Sequence, residues 1–375
     1  MIETFKKIFF RSNNFEKINI NFQELKRNTG IEKIFKAVEG HSIESEIRYV
    51  GGCIRKVLKN EKVNDIDLAT NLTPDQLIYV LKKNNIKFYE TGLKHGTVTA
   101  ISNNFIFEIT SLRKDIKTDG RHAEVIFTNN WKEDASRRDF SINSIYSDIQ
   151  GNLFDPFNGK RDLEIGQINF IGDPEKRIKE DYLRILRYIR FFLNYSKYDH
   201  NLNIIRVIKK NLNGISKISS ERLLDEFKKL FNSESFSNLF KDEFSYEIIS
   251  LVFPQFTNIS ILKNLNPYAK ENLKNIDFIF FISLMIVDGT DNADYFIYKY
   301  NISKKDQKRI LFLNNFLKNK INSSFNPKNL WKILYYNGKD SLLDLINYNI
   351  FISKKLDKKF LKLLNFFKDK NPPLL

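Results

Sequence analysis

Cysteine is nearly absent from this 375-residue chain, and the single one, Cys53, excludes an internal disulfide and a cysteine-based zinc site while fitting a reducing compartment. Histidine is also scarce. The four present are scattered, and His95 and His122, beside glycine-containing turns, read as structural or solvated rather than catalytic. No apolar run reaches membrane-span length, since even Phe278 to Val287 has only the length of a buried helix. Met1 to Arg11 is basic but lacks the apolar core and small-residue cleavage site of a signal peptide, so the expected location is cytoplasmic.

What is present is an ordinary globular composition, 42% hydrophobic, in a chain long enough for two or more domains with their own cores. The formal charge is +16. Such an excess is commonly used to neutralise a polyanion, although abundant Lys, Asn, Ile and Phe are also what an AT-rich genome encodes. Its distribution is uneven: residues 301–375 hold sixteen Lys or Arg against five Asp, a local net of +11.

The hydrophobic period changes once along the chain. Short β-type runs fill the first part, at Ile47 to Val50, Ile66 to Ala69, Lys87 to Glu90, Thr97 to Ile101, Phe105 to Thr110 and Ser144 to Ile149, with a helix predicted over Pro74 to Asn84. Beyond Pro174 the period is helical, punctuated at Asn213-Gly214, Pro254, Pro267, Asp288-Gly289, Pro327, Asn337-Gly338 and Pro372-Pro373. Aromatic residues in these helices are expected in the core. Between the strands, Arg113 to Glu124 is polar and aperiodic, which predicts a mobile loop near the site.

The chemistry starts at Asp65-Ile66-Asp67. Alternate residues of a strand point to one face, so these carboxylates converge and call for a positive partner between them. Mg²⁺ suits such hard oxygen donors and shares its shell with water and substrate phosphate. Thirteen residues upstream, Gly51-Gly52 closes a short strand and opens a helix bearing Arg55, a turn whose amides can approach phosphate closely. Gly-Gly, Arg and Asp-x-Asp together point to phosphoryl or nucleotidyl transfer. Arg137-Arg138-Asp139, followed by Asn143, offers guanidinium forks, a carboxylate and an amide suited to triphosphate and ribose, whereas Asp155-Pro156-Phe157-Asn158-Gly159 has the chemistry of a turn.

One helix is predicted through Glu180-Asp181-Tyr182-Leu183-Arg184-Ile185-Leu186-Arg187-Tyr188-Ile189-Arg190-Phe191. Its apolar face is Leu183, Leu186, Ile189 and Leu193, and Asp181, Arg184 and Arg187 follow at three-residue spacing. Such a stripe is either a solvated ion-pair row or a reader of bases. Cytosine and adenine each present an exocyclic amino donor beside an unprotonated ring nitrogen, which a carboxylate beside a guanidinium matches; uracil and guanine present the opposite pattern. Asp181 with Arg184 can therefore select C and A without a template.

From about Tyr49 to Phe192 these motifs, in this order, resemble the class II tRNA nucleotidyltransferases (CCA-adding enzymes) and their bacterial poly(A) polymerase relatives. The motifs are Gly-Gly-Cys-Ile-Arg, Asp-Ile-Asp-Leu-Ala-Thr, Lys-His-Gly-Thr-Val-Thr, Arg-Arg-Asp-Phe-Ser-Ile-Asn, Asp-Pro-Phe-Asn-Gly and Glu-Asp-Tyr-Leu-Arg-Ile-Leu-Arg. A weaker echo follows at Ile218 to Phe227.

The resemblance implies an α+β fold: a polymerase-β-like nucleotidyltransferase head followed by an all-α neck, body and tail. Expected boundaries are an N-terminal helical extension at 1–45, head at 46–172, neck at 173–232, and tRNA-binding body and tail at 233–375. It implies Asp65 and Asp67 as Mg²⁺ ligands with Glu108 as third catalytic carboxylate. Gly52, Arg55, Arg138, Arg187 and Arg190 would hold the nucleotide, Asp139 would approach the ribose, and Asp181 with Arg184 would read the base. The implied reaction adds CCA to tRNA 3′ ends from CTP and ATP, with no membrane and no stable protein partner. Poly(A) polymerase, CC-only or A-only addition, and a catalytically silent RNA-binding module are the alternatives. The chain departs from the family at Lys56, where Asp is usual, and in stopping at Leu375, where relatives generally continue; the basic helices from Lys304 to Lys370 are expected to compensate.

Overall fold

The computed structural model describes residues 22–371 apart from 24, 28, 120–121 and 320–324, and side chains among these apart from 116–124. The expectations for Met1 to Arg11 and Pro372-Pro373 lie outside the described residues. The fold is α+β, in two compact units that meet in sequence at Gly214 and Ile215, so the expected neck at 173–232 is divided between them.

The first unit is built on a seven-stranded sheet of order β3-β4-β5-β2-β1-β8-β9. Its strands are β1 (Ile47–Val50), β2 (Ile66–Thr70), β3 (Lys87–Gly92), β4 (Thr97–Ser102), β5 (Phe105–Ser111), β8 (Tyr146–Ser147) and β9 (Leu153–Phe154). Neighbours are antiparallel except for β2 and β5, which run parallel. Helices α1 (Ile31–Glu39), α2 (Gly52–Lys59) and α3 (Pro74–Lys83) join the sheet's core through Ile34, Phe35, Val57, Leu77, Leu68, Val98 and Ile109, among others. Helix α1, in the stretch expected as an N-terminal helical extension, shares the core of the head. Helix α3 starts where the sequence stops it from starting earlier: Thr73 and Gln76 form a capping box, with Pro74 at the first turn.

Two expectations are corrected here. Arg113 to Glu124 is not an irregular loop but most of a hairpin, β6 (Arg113–Asp119) with β7 (His122–Phe127), paired from Arg113↔Phe127 to Asp119↔His122. The pair forms a separate two-stranded sheet with Ile126 and Phe127 exposed, and none of its described side chains, those of residues 113–115 and 125–127, is buried to impose an apolar alternation. The strand predicted over Ser144 to Ile149 shrinks to Tyr146–Ser147. A 3₁₀ turn at Ser141–Asn143 continues into Ser144, and Asp148 Oδ1 accepts from the amides of Gln150 and Asn152, bending the chain on the other side.

After α4 (Trp131–Ser136) and α5 (Gly159–Ile165), the unit closes with α6 (Pro174–Glu180), α7 (Arg184–Tyr195) and α8 (Leu202–Asn211). The second unit is helical throughout: α9 (Ser220–Phe231), α10 (Glu243–Val252), α11 (Pro267–Asn272), α12 (Phe278–Ile286), α13 (Asn292–Lys299), α14 (Lys304–Lys318), α15 (Pro327–Ile352) and α16 (Lys358–Lys368), with short 3₁₀ turns between. Its aromatic residues form core, with Phe227, Phe253 and Phe281 fully buried and packed ring on ring. Gly338 interrupts α15 at φ 83°, a conformation open to glycine. Among the described residues no helix is long and apolar enough to cross a membrane.

Candidate active site

Asp67 on β2 lies directly opposite Glu108 on β5, and Asp65, immediately before β2, lines an opening with both. Ile66 and Leu68, which flank Asp67, go into the core. Asp67 and Glu108 therefore project from the sheet face away from α1, α2 and α3. Asp67 keeps an accessible side chain, yet cleft walls crowd its carboxyl. Its pKa is raised, first by this desolvation and then by Glu108, with Asp65 adding to it and Arg138 and Arg55 opposing. Crowded like charges of this kind fit a divalent cation. Among the described residues no group of three acidic, histidine or cysteine side chains is placed to hold a metal ion, so a cation on this face would take water and substrate phosphate for most of its shell. Behind the strand, Cys53 is buried and its thiol is pushed up to about 12 by burial and by Asp67, so it is inert as a nucleophile or ligand.

A cleft of about 560 Å³ opens beside Asp67 and Glu108, lined also by Arg113, Arg137, Arg138, Asp181 and Arg184. Burial first, and then the neighbouring charge of Arg137, lower the Arg113 pKa to about 10, with Asp115 and Asp134 opposing. Asp134, almost fully buried on α4, anchors the walls. It binds Arg137 at 2.8 Å and Arg138 at 3.3 Å and accepts the Tyr146 hydroxyl at 2.6 Å. Burial alone would raise its pKa; Arg138, Arg137 and Tyr146 outweigh that and hold it at about 2.

Gly51 has φ 69°, and a Cβ there would lie 3.4 Å from an Arg138 guanidinium nitrogen; one on Gly52 would lie 3.9 Å from Arg55. The glycine turn thus sits between two groups of arginines. In the second group, Arg55, Arg187 and Arg190 have guanidinium carbons 4.7, 5.5 and 4.2 Å from the centre of the Phe191 ring. Arg55 donates to the side-chain oxygen of Asn143, whose amide donates to Asp139 at 2.9 Å. Arg187 donates to the other Asp139 oxygen at 2.6 Å.

Two placements differ from the sequence reading. Asp139, expected at the ribose, is buried with both oxygens engaged, and its pKa falls to about 2 because Arg187 and Asn143 overcome the cost of burial. Asp181 and Arg184 do not share a helix. Asp181 has an extended backbone, φ −154° and ψ 105°, ends α6, and accepts from the Leu183 amide at 3.1 Å, so it caps the turn that leads into α7. Both residues still line the cleft. Arg184 instead holds Glu180 at 2.6 Å and the carbonyls of Arg177 and Arg137 at 2.9 and 3.2 Å. Leu183, Leu186, Ile189 and Leu193 are buried as the period predicts. Site residues to which the sequence reading gave no role are Arg113 and Glu180. Arg113 was hidden by its placement in a loop, although it directly follows the strand that carries Glu108.

The comparisons agree with this architecture. A family model described as the poly A polymerase head domain matches residues 47–169, and one described as a probable RNA- and SrmB-binding site of polymerase A matches 203–259. The mitochondrial CCA tRNA nucleotidyltransferase 1 of Mus musculus is 43% identical over 197 residues, 52% of this chain and 45% of that protein. The chain thus spans under half the length of that relative. The CCA-adding enzyme of Staphylococcus saprophyticus is 30% identical over 322 residues, 84% of this chain and 75% of that one. The crystal structure of the Bacillus stearothermophilus CCA-adding enzyme in complex with CTP shares the fold, with a TM-score of 0.68 at 20% identity, covering 89% of this chain and 80% of that chain. A polymerase-type head with carboxylates on its sheet face and arginines around them defines a nucleotidyltransferase class. Within it, the chain belongs to the CCA-adding enzyme family.

Proposed function

We propose that this chain is a template-independent tRNA nucleotidyltransferase that adds C, C and A to tRNA 3′ ends from CTP and ATP, releasing pyrophosphate. The observation that carries the reading is one cleft holding Asp67 and Glu108 together with Arg113, Arg137, Arg138, Asp181 and Arg184. Family membership over most of the chain supports the same activity.

In this reading Mg²⁺ is the cation that Asp65 and Asp67 would hold, with Glu108 beside them as a third carboxylate; when bound it would lower the pKa of the attacking 3′-hydroxyl and stabilise the departing pyrophosphate. Arg113, Arg137 and Arg138 take the triphosphate as bidentate donors, with the Gly51-Gly52 turn allowing close approach of the backbone. Asp181 accepts from the amino group of C or A while Arg184 donates to the adjacent ring nitrogen. Asp139, Arg187 and Asn143 act beneath the site, fixing Arg55 and the start of the turn. The acceptor is tRNA, and the second unit carries the basic surface that would meet it. We propose a cytoplasmic location; the mammalian relatives named mitochondrial supply the alternative.

The test is incorporation by purified protein with Mg²⁺ on tRNA ending before CCA, with CTP and ATP separately and together. Two C residues from CTP, a single A after them and then arrest are expected. Long A-tails on arbitrary RNA would mean poly(A) polymerase, and tRNA binding without incorporation would mean a silent RNA-binding module.

A further inference from the structure

The turn Asp155-Pro156-Phe157-Asn158-Gly159 and the helix it opens take no part in the cleft described above, yet they wall a cavity of their own. It measures about 380 Å³, within the range of small-molecule sites, and no residue lines both it and the arginine cleft. Its walls are held firmly. Asp155 accepts from the amides of Gly159 and Lys160 at 2.8 and 2.9 Å, which starts α5, and a Cβ on Gly159 would come within 2.1 Å of the Ser141 carbonyl oxygen, so helix and segment lie in close contact. On the other wall Phe140 bridges Phe170, and the Ser141 amide donates to the Asn169 carbonyl at 3.0 Å.

Asp162 is the informative residue. It is 9% exposed, and one of its carboxyl oxygens, Oδ2, accepts from both Ser141 Oγ at 2.5 Å and Asn169 Nδ2 at 3.0 Å. Among the described residues nothing donates to the other oxygen, Oδ1, though it is not sealed from solvent; an acceptor is left for an occupant of the cavity it lines. At the rim Asn158, Arg161 and Gln167 are exposed, and among the described residues their side chains form no hydrogen bond. Phe157 and Phe170 supply apolar surface.

These groups together define a ligand. The edge of a nucleobase mixes donors and acceptors as the carboxamides of Asn158 and Gln167 do, and its flat apolar face suits phenylalanine. Asp162 Oδ1 takes an exocyclic amino group, whereas uracil would bring carbonyl oxygens up against the carboxyl. Among the described residues Arg161 is the one cationic side chain in the lining, which gives a single phosphate its partner and leaves a triphosphate or an RNA strand without enough. We propose that this cavity binds a free nucleoside monophosphate with an aminated base, such as cytidine or adenosine monophosphate. Its amino group meets Asp162, its base lies against Phe157 and Phe170, and its phosphate meets Arg161. The site is separate from the substrate cleft and goes beyond the functional reading above.

The test is calorimetry on the full chain with the arginine cleft filled by saturating α,β-methylene CTP. Cytidine and adenosine monophosphates should bind at one per chain, and uridine monophosphate about ten-fold more weakly. Arg161→Ala should weaken them about ten-fold, while affinity for the CTP analogue titrated alone stays within about two-fold. Asp162→Asn keeps its oxygen on Ser141 and Asn169 and turns an amide donor inward, so it should weaken cytidine monophosphate and strengthen uridine monophosphate. Should that variant fail to fold, Arg161→Ala and the wild-type ratio of cytidine to uridine monophosphate affinity decide. Absence of mononucleotide binding, equal binding of the uridine form, or binding untouched by Arg161→Ala would overturn the proposal, as would leucine, probed as a free amino acid, binding in the nucleotide's place. A CTP analogue that fails to bind alone would count against the functional reading instead, and the mononucleotide titrations would still decide this site.

Discussion

Arg184 Nη1 donates to Glu180 Oε2 at 2.6 Å, and the same carboxylate oxygen accepts from Arg177 Nη1 at 2.9 Å. Arg177 is itself tied to the Ile171 carbonyl, so the guanidinium assigned to base reading is held by a carboxylate that is held in turn. Glu180 is a positioning residue in this arrangement. Glu180→Ala should leave KM for tRNA unchanged and lower the preference for CTP and ATP over UTP and GTP by about ten-fold, with Glu180→Gln retaining part of it. Relative kcat/KM for the four nucleotides measures this. Equal loss for all four would show that Glu180 supports folding only.

The pair proposed to read the base should be more sensitive. Removing either Asp181 or Arg184 leaves its partner atom on the base without a hydrogen bond, costing about 1–3 kcal/mol of discrimination. Four-nucleotide incorporation by Asp181→Ala and Arg184→Ala, on tRNA ending before CCA and on tRNA ending in CC, should therefore show UTP and GTP competing better. Full C/A selectivity in both variants would place base recognition elsewhere.

Much of this site is legible in the sequence because it lies on a sheet with one buried face. Alternation in Ile66-Asp67-Leu68 and Phe107-Glu108-Ile109 identifies both the strands and the residues they turn outward. Where burial imposes no period, the reading fails. None of the described side chains of the hairpin from Arg113 to Phe127 is buried, and the one local signal in its sequence, Asp119-Gly120, is a common hairpin dipeptide among polar neighbours. The break at Asp181 is masked for another reason: only residues 181–183 separate α6 from α7, and a capping Asp resembles an interior one at three-residue spacing. The burial of Asp139 depends on Arg187, 48 residues away, and no local pattern encodes that partner.

The raised pKa of Asp67 predicts an exchange of stability against function. Its charged form is disfavoured in the fold by desolvation and by Glu108, so the folded chain binds this proton more tightly than the unfolded chain does. Stability attributable to this group therefore falls as pH rises from the ordinary carboxylate pKa through the raised one, and stays low at neutral pH. Asp67→Asn should accordingly raise Tm at pH 7 and lose that advantage below about pH 4, while nucleotide incorporation drops by several orders of magnitude. Mg²⁺ should raise Tm of the wild type more than that of the variant. An Asp67→Asn protein less stable than wild type at pH 7, or one with comparable turnover, would refute the assignment of a strained carboxylate cluster.

The final prediction concerns the charge at the chain's C-terminal end. Lys354, Lys355, Lys358 and Lys359 are all exposed, and the last two open α16 behind Asp357, whose carboxylate accepts from the Lys359 amide at 2.8 Å. That cap involves backbone, so replacing the four lysines with Gln should preserve the helix and change only the field around it. If these lysines neutralise tRNA phosphates, each contact releases counterions and contributes about 0.7–0.9 to the slope of log affinity against log salt. The quadruple variant should then bind tRNA more weakly at low salt and lose up to about 3 units of slope, while KM for CTP stays unchanged. Filter binding between about 50 and 200 mM salt, a range of about four-fold in screening length squared, gives enough span to resolve the difference. An unchanged slope would mean that this lysine excess reflects coding composition and that the acceptor is gripped by other residues.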